Sequence, residues 1–119
     1  MPGTPGEEAG TGSATRNRDR REVFRVLLTV QVKPDLEDEF ERVWAEGSRE
    51  ITAQPANLGH TLARSATEKS VYYVVSDWTD RDAFLAFESS DEHVRHREKL
   101  HPFRAGGSLA MMTLVGADR

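Results

Sequence analysis

The sequence predicts an α+β domain of ferredoxin-like plan, β-α-β-β-α-β, with helices on one side of an antiparallel sheet. Three observations point to it. Phe24, Val26, Leu28, Val30 and Val32 alternate as one apolar strand face, and Pro34 and Asp35 hand that strand directly to an amphipathic helix. In mid-chain, two β-rich runs separated by a polar turn read as a hairpin, the second of them delivering Trp78 to its end. A helical region and one more apolar strand then complete the order.

Strand one is expected over 23–33, its second face a mixture of Arg25, Leu27, Thr29 and Gln31. Asp35 is the expected N-cap of a helix over about 36–54. Leu36, Phe40, Val43, Trp44, Gly47 and Ile51 make its inward stripe, Glu37, Asp38, Glu41 and Glu46 face water, and Pro55 stops it. A turn over 57–60 leads into strand two over about 60–65. Residues 67–70 form the hairpin turn, and strand three covers 71–77. Thr79 with Asp82 is a capping-box variant opening a short helix over 80–87 that turns Phe84 and Phe87 inward. Ser90 caps a further helix over 91–100, which Pro102 ends. Ala105-Gly106-Gly107 is read as a flexible turn before a last strand over 108–115.

The chain has 119 residues, enough for one domain with one core. Residues 1–21 are polar, rich in Gly, Pro, Glu and Arg, and lack periodicity, so they read as a disordered leader to a folded domain over 22–119. Arg16, Arg18, Arg20 and Arg21 are interspersed with Asp19 and Glu22, as in a solvated tail. The net charge of −4 argues against a nucleic-acid partner. No apolar run approaches a membrane span and no signal segment is apparent, so the expectation is a cytoplasmic protein. Without cysteine there is no thiolate chemistry, disulfide or Cys-ligated metal. No nucleotide, flavin or nicotinamide motif occurs, which predicts a protein without a motif-bound organic cofactor. Strands one and three carry large apolar residues on both faces, whereas the helices of one chain cover only one. The other face, to which this pattern assigns Phe24, Val26, Leu28, Tyr73 and Val75, needs a second layer. A sheet from an identical chain is the expected cover, hence a homodimer.

Trp78, at a strand end beside a helix start, and Trp44, on the inward stripe, would border one flat slot between helix and sheet. For Trp44 the core reading is the plainer one, since its helical spacing already explains it, whereas Trp78 is equally explained as core or as pocket wall. His60 and Arg64 share parity on strand two, and Tyr72 shares parity with Trp78. A neutral His60 would accept a proton from a phenolic ligand, and Arg64 would hold the resulting anion. A turn histidine and a surface arginine explain the same residues equally well. His93 and His96 stand at i and i+3, a spacing open to metal, but no third ligand is signposted and charged neighbours suggest a solvated helix. His93 also suits the rim of a cavity.

From about residue 23 to 115 the chain resembles the antibiotic biosynthesis monooxygenase family. The resemblance rests on the element order, on Glu39-Phe40 before Trp44, on Asp77-Trp78-Thr79-Asp80 leading to Phe84, and on Ser90-Asp91-Glu92-His93. It implies a dimeric α+β barrel that oxidises anthrone-type phenols to quinones with molecular oxygen and without metal or flavin. The ligand would be an aromatic polyketide intermediate. Family oxygenases carry an Asn on strand one and another four residues before the strand-three Trp. Here those positions are Thr29 and Val74, while Trp78 carries over. On the resulting reading Trp78, the residue that carries over, stacks on the ligand and Trp44 walls the pocket. His60 or Tyr72 handles the proton, Arg64 or Thr29 holds the oxyanion, and Val74 and His93 line the pocket. A non-catalytic dimer that binds an aromatic intermediate or assists a synthase complex is the competing reading, and the missing amides fit it. A haem-degrading relative ranks lower, because Thr29 departs from its pattern and the histidines do not fall at its step after Trp78.

Overall fold

β1, Phe24–Val32, lies inside a four-stranded antiparallel sheet of order β2-β3-β1-β4. The computed structural model describes residues 23–118, so the expected leader over 1–21 lies outside them. In chain order β1 is followed by α1 (Glu37–Thr52), β2 (Asn57–Arg64), β3 (Val71–Trp78), α2 (Arg81–Glu88) and α3 (Asp91–Leu100). One turn of tighter helix, His101–Phe103, then leads to β4 (Arg104–Thr113). This is the predicted ferredoxin-like arrangement, with the second helical region split in two by Ser89 and Ser90.

The ends of several elements differ from expectation for local reasons. Asp35 does not cap α1. It sits at φ 71°, a left-handed conformation that Asp tolerates, and Leu36 occupies the cap position without a side-chain bond. α2 is capped by Asp80, whose carboxylate accepts from the Ala83 N–H at 2.8 Å, whereas the Thr79 N–H goes to the Ala56 carbonyl. Ser90 does cap α3, accepting from the His93 N–H. β4 begins at Arg104 and absorbs Ala105-Gly106-Gly107, because the reversal of direction is already made at His101–Phe103. Gly107 pairs with Val30, and a Cβ there would lie 2.5 Å from the Thr29 carbonyl oxygen and from the Arg104 guanidinium. Glycine is thus required by close approach, not by a turn.

The register fixes which residues share a face. Phe24 pairs with Trp78, Val26 with Ser76, Leu28 with Val74 and Val30 with Tyr72. These residues face the helices. The opposite face carries Arg25 with Asp77, Leu27 with Val75, and Thr29 with Tyr73, extended by Ala110 and Met112 from β4. Phe24, Val26 and Leu28 therefore do not share the uncovered face with Tyr73 and Val75, contrary to the sequence expectation. Side chains alternate at every residue, and Tyr73 stands opposite Thr29.

Under the helices the core falls into two clusters. Phe24, Val26, Ile51, Trp78, Phe84 and Phe87 form one, Val30, Val32, Phe40 and Tyr72 the other. Aromatic rings interlock in both: Trp78 meets Phe87 at 5.0 Å and Phe40 meets Tyr72 at 5.1 Å between centroids.

Candidate functional site

A cavity of about 410 Å³ lies between the sheet and the three helices, bordered by members of both core clusters. Its sheet side is Val26, Leu28, Val30, Val74, Ser76 and Trp78. α1 contributes Phe40, Trp44 and Ile51, α2 contributes Phe84 and Phe87, and α3 contributes His93, His96 and Leu100. Its size and largely apolar lining suit a drug-sized ligand.

Strand alternation and helical spacing bring these side chains together. Trp78 is 1% exposed, so its indole presents a fixed edge of the cavity, and its Nε1–H donates to Ser76 Oγ at 2.8 Å. Trp44 stacks on His60 across α1 and β2, with centroids 4.7 Å apart and planes 24° from parallel. The His60 Nδ1 lies 2.8 Å from Ser48 Oγ. Burial pushes the His60 imidazole down to about 4, with His96 and His93 adding to the shift, so the ring is neutral near pH 7. His93 is likewise pushed down to about 4, by burial first and then by Arg97 and His96. It packs on Phe87 at 4.7 Å, and its buried Nδ1 has no hydrogen-bond partner among the described residues. His96 is lowered by burial, with Glu50 opposing. Its ring fits against α1 only because position 47 is glycine, where a Cβ would stand 1.9 Å from the imidazole.

Of the residues singled out from sequence, Trp78, Trp44, His60, Val74 and His93 border the cavity. Tyr72, Arg64 and Thr29 do not. Tyr72 donates to Glu41 at 2.5 Å, and Arg64 reaches the same carboxylate at 2.6 Å. Those bonds hold Glu41 below its ordinary pKa, the one from Tyr72 first, while burial and then Glu41 raise the Tyr72 phenol. Arg64 and Tyr72 do meet as the hairpin parity suggested, but they brace α1 against the sheet instead of serving the cavity. His60 is removed from them because it pairs with Ser76. Thr29 lies on the uncovered sheet face, away from the helices. Polar residues that sequence reasoning missed at the cavity include Ser76, His96 and Arg104, with Glu88, Arg97 and Ser108 also on its border. His96 is buried on a helix that reads as solvated, and Arg104 lies beside the expected turn. The parity of Ser76 with Trp78 was the available signal for the serine. Among the described residues no group of three or more His, Asp or Glu side chains is arranged to hold a metal ion.

A four-stranded antiparallel sheet roofed by helices over an aromatic-lined cavity defines a small α+β protein of ferredoxin-like plan. The antibiotic biosynthesis monooxygenase family model matches residues 23–99, and the chain belongs to that family. A Caulobacter crescentus protein classed with the antibiotic biosynthesis monooxygenases is 26% identical and superposes with a TM-score of 0.75, covering 87% of this chain and 99% of that one. SnoaB from Streptomyces nogalater, a cofactor-independent oxygenase, shares the fold with a TM-score of 0.73 at 23% identity, over 81% of this chain and 96% of its own. Protein SchA from Streptomyces halstedii is 24% identical over 82 residues, which are 69% of this chain. The match spans only about a fifth of SchA, 22% of its length.

Proposed function

We propose that the protein is a cofactor-independent monooxygenase that converts an anthrone-type aromatic, such as a polyketide intermediate, to a quinone with molecular oxygen. The observation that carries this reading is the cavity itself: an apolar, aromatic-walled space in which the imidazoles of His60 and His93 are held neutral. A largely apolar pocket of this kind favours deprotonation of a bound carbon acid when a proton acceptor and a hydrogen-bond donor are at hand.

In the proposed reaction a base removes a proton from the methylene carbon flanked by the aromatic rings, leaving an enolate. The enolate passes one electron to oxygen, the two radicals combine at that carbon, the peroxide anion takes back the proton from the base, and the hydroperoxide so formed loses water to leave the second carbonyl. One oxygen atom enters the product and the other leaves as water. His60 is the proposed acceptor. With its Nδ1–H donated to Ser48 Oγ, Nε2 carries the free lone pair. Trp78 and Trp44 wall the flat ligand. Two copies are proposed to pack through the uncovered sheet faces, covering Leu27, Tyr73 and Val75.

Incubating the purified protein with anthrone in aerated buffer tests the activity. Quinone formation with stoichiometric oxygen uptake is expected, and His60→Gln should reduce the rate about a hundredfold, the scale of a lost general base. No quinone above the uncatalysed background defeats the oxygenase reading. Saturable quenching of tryptophan fluorescence without turnover would favour a ligand-binding accessory protein, the reading that Val74 in place of an amide supports.

A further inference from the structure

Ser76 is only 8% exposed, and it lines the cavity. Its hydroxyl oxygen accepts two hydrogen bonds, one from the Trp78 indole N–H at 2.8 Å and one from the Asn57 side-chain amide nitrogen at 3.3 Å. The orientation of that amide is not arbitrary. The same nitrogen also lies 3.3 Å from the carbonyl oxygens of Gly59 and Asp77, and turning the amide over would set its oxygen against both. A serine hydroxyl has two lone pairs and one proton. Here both lone pairs face groups that only donate, so the proton is left to donate elsewhere, and no acceptor for it stands among the described residues.

We propose that Ser76 is a hydrogen-bond donor directed into the cavity, where it binds an oxygen on the edge of the ligand: a ring carbonyl, or the oxyanion that carbonyl becomes on deprotonation. This deepens the reading of the cavity as an aromatic site and rests on it. Two bonds donated to the Ser76 oxygen polarise its O–H, which strengthens the bond it gives. His60 is the direct cross-strand partner of Ser76, so the oxygen is held beside the neutral imidazole. The ligand class that follows is a flat aromatic ketone or its enol, in preference to a hydrocarbon of the same outline.

The test compares anthrone with 9,10-dihydroanthracene, which keeps the three-ring skeleton and lacks the ring oxygen. Both are titrated under nitrogen by quenching of tryptophan fluorescence. Ser76→Ala should weaken anthrone about tenfold and dihydroanthracene less than about twofold, while Ser76→Thr should retain anthrone affinity. Equal losses for the two compounds, or none for either, overturn the proposal, since a merely structural serine weakens both alike. Should Ser76→Ala fail to fold, the carbonyl stretch of anthrone bound to the wild-type protein decides. A shift to lower frequency than in an apolar solvent is expected, and an unshifted band overturns the proposal. A wild-type protein that binds neither compound instead removes the aromatic-cavity reading itself, and this one with it.

Discussion

His60 shows how one side chain acquires its chemistry from its surroundings. Nothing about a histidine in the middle of β2 sets its protonation, but stacking on Trp44 beneath α1 strips it of water and drives its pKa from 6.5 to about 4. A pH dependence of stability follows. In the unfolded chain the imidazole takes up a proton near pH 6.5, whereas in the folded protein it does so near 4. Its contribution is complete above about pH 6.5. It drains away as the pH falls through that window, because the unfolded state binds the proton first. His93 acts in the same window and in the same direction. The thermal midpoint should therefore decline between pH 6.5 and 4 and decline less steeply in His60→Gln. A midpoint independent of pH across that range would mean the rings are not buried as neutral groups. Trp78 gives a second prediction at this scale. Trp78→Ala removes an indole packed between Phe84 and Phe87 and should cost about 3–5 kcal/mol in a urea titration.

Elements meet through a few positions with little tolerance. α1 and α3 approach at Gly47 and His96, and adding one methyl group at Gly47 would drive it into the imidazole. Gly47→Ala gains about 1 kcal/mol of helix propensity. It should nevertheless destabilise the protein by about 1–3 kcal/mol through overpacking, measured by urea titration. A more stable variant would show that the two helices part without cost. Asp80→Ala should cost about 1 kcal/mol by removing the α2 cap, whereas Thr79→Ala should cost little. The existence and order of the elements were legible as hydrophobic periodicity, and the packing of Phe40, Ile51, Phe84 and Phe87 followed from their spacing. The ends were less legible. Whether Asp35 or Leu36, Thr79 or Asp80 takes the cap is decided by backbone angles that residue type constrains only weakly. At the site, Trp78 and His60 could be read from parity. Tyr72 and Arg64 could not be assigned, because Glu41 of a distant helix claims both.

For the molecule as a whole, the unanswered demand of the sheet is its second face. Leu27, Val75 and Tyr73 stand there in adjacent strands, with Ala110 and Met112 beside them and no helix of the described residues above. A self-complementary apolar face of this kind is the ordinary basis of a two-fold dimer. The wild-type protein should sediment as a dimer at micromolar concentration, and Val75→Arg should shift it to monomer while leaving the helix-side cavity in place. Wild-type sedimentation as a monomer would leave that face without its proposed cover.

One pair on the same face bears on how such an association would respond to its medium. Arg25 and Asp77 are joined by two parallel hydrogen bonds at 2.7 and 2.9 Å. Each charge is thus cancelled within its own subunit before any partner arrives. A face that is neutral in advance can be dehydrated without stranding an ion, so added sodium chloride should barely loosen the proposed dimer. Arg25→Ala would instead leave a carboxylate to be buried alone, and that variant should associate far more weakly than the wild type.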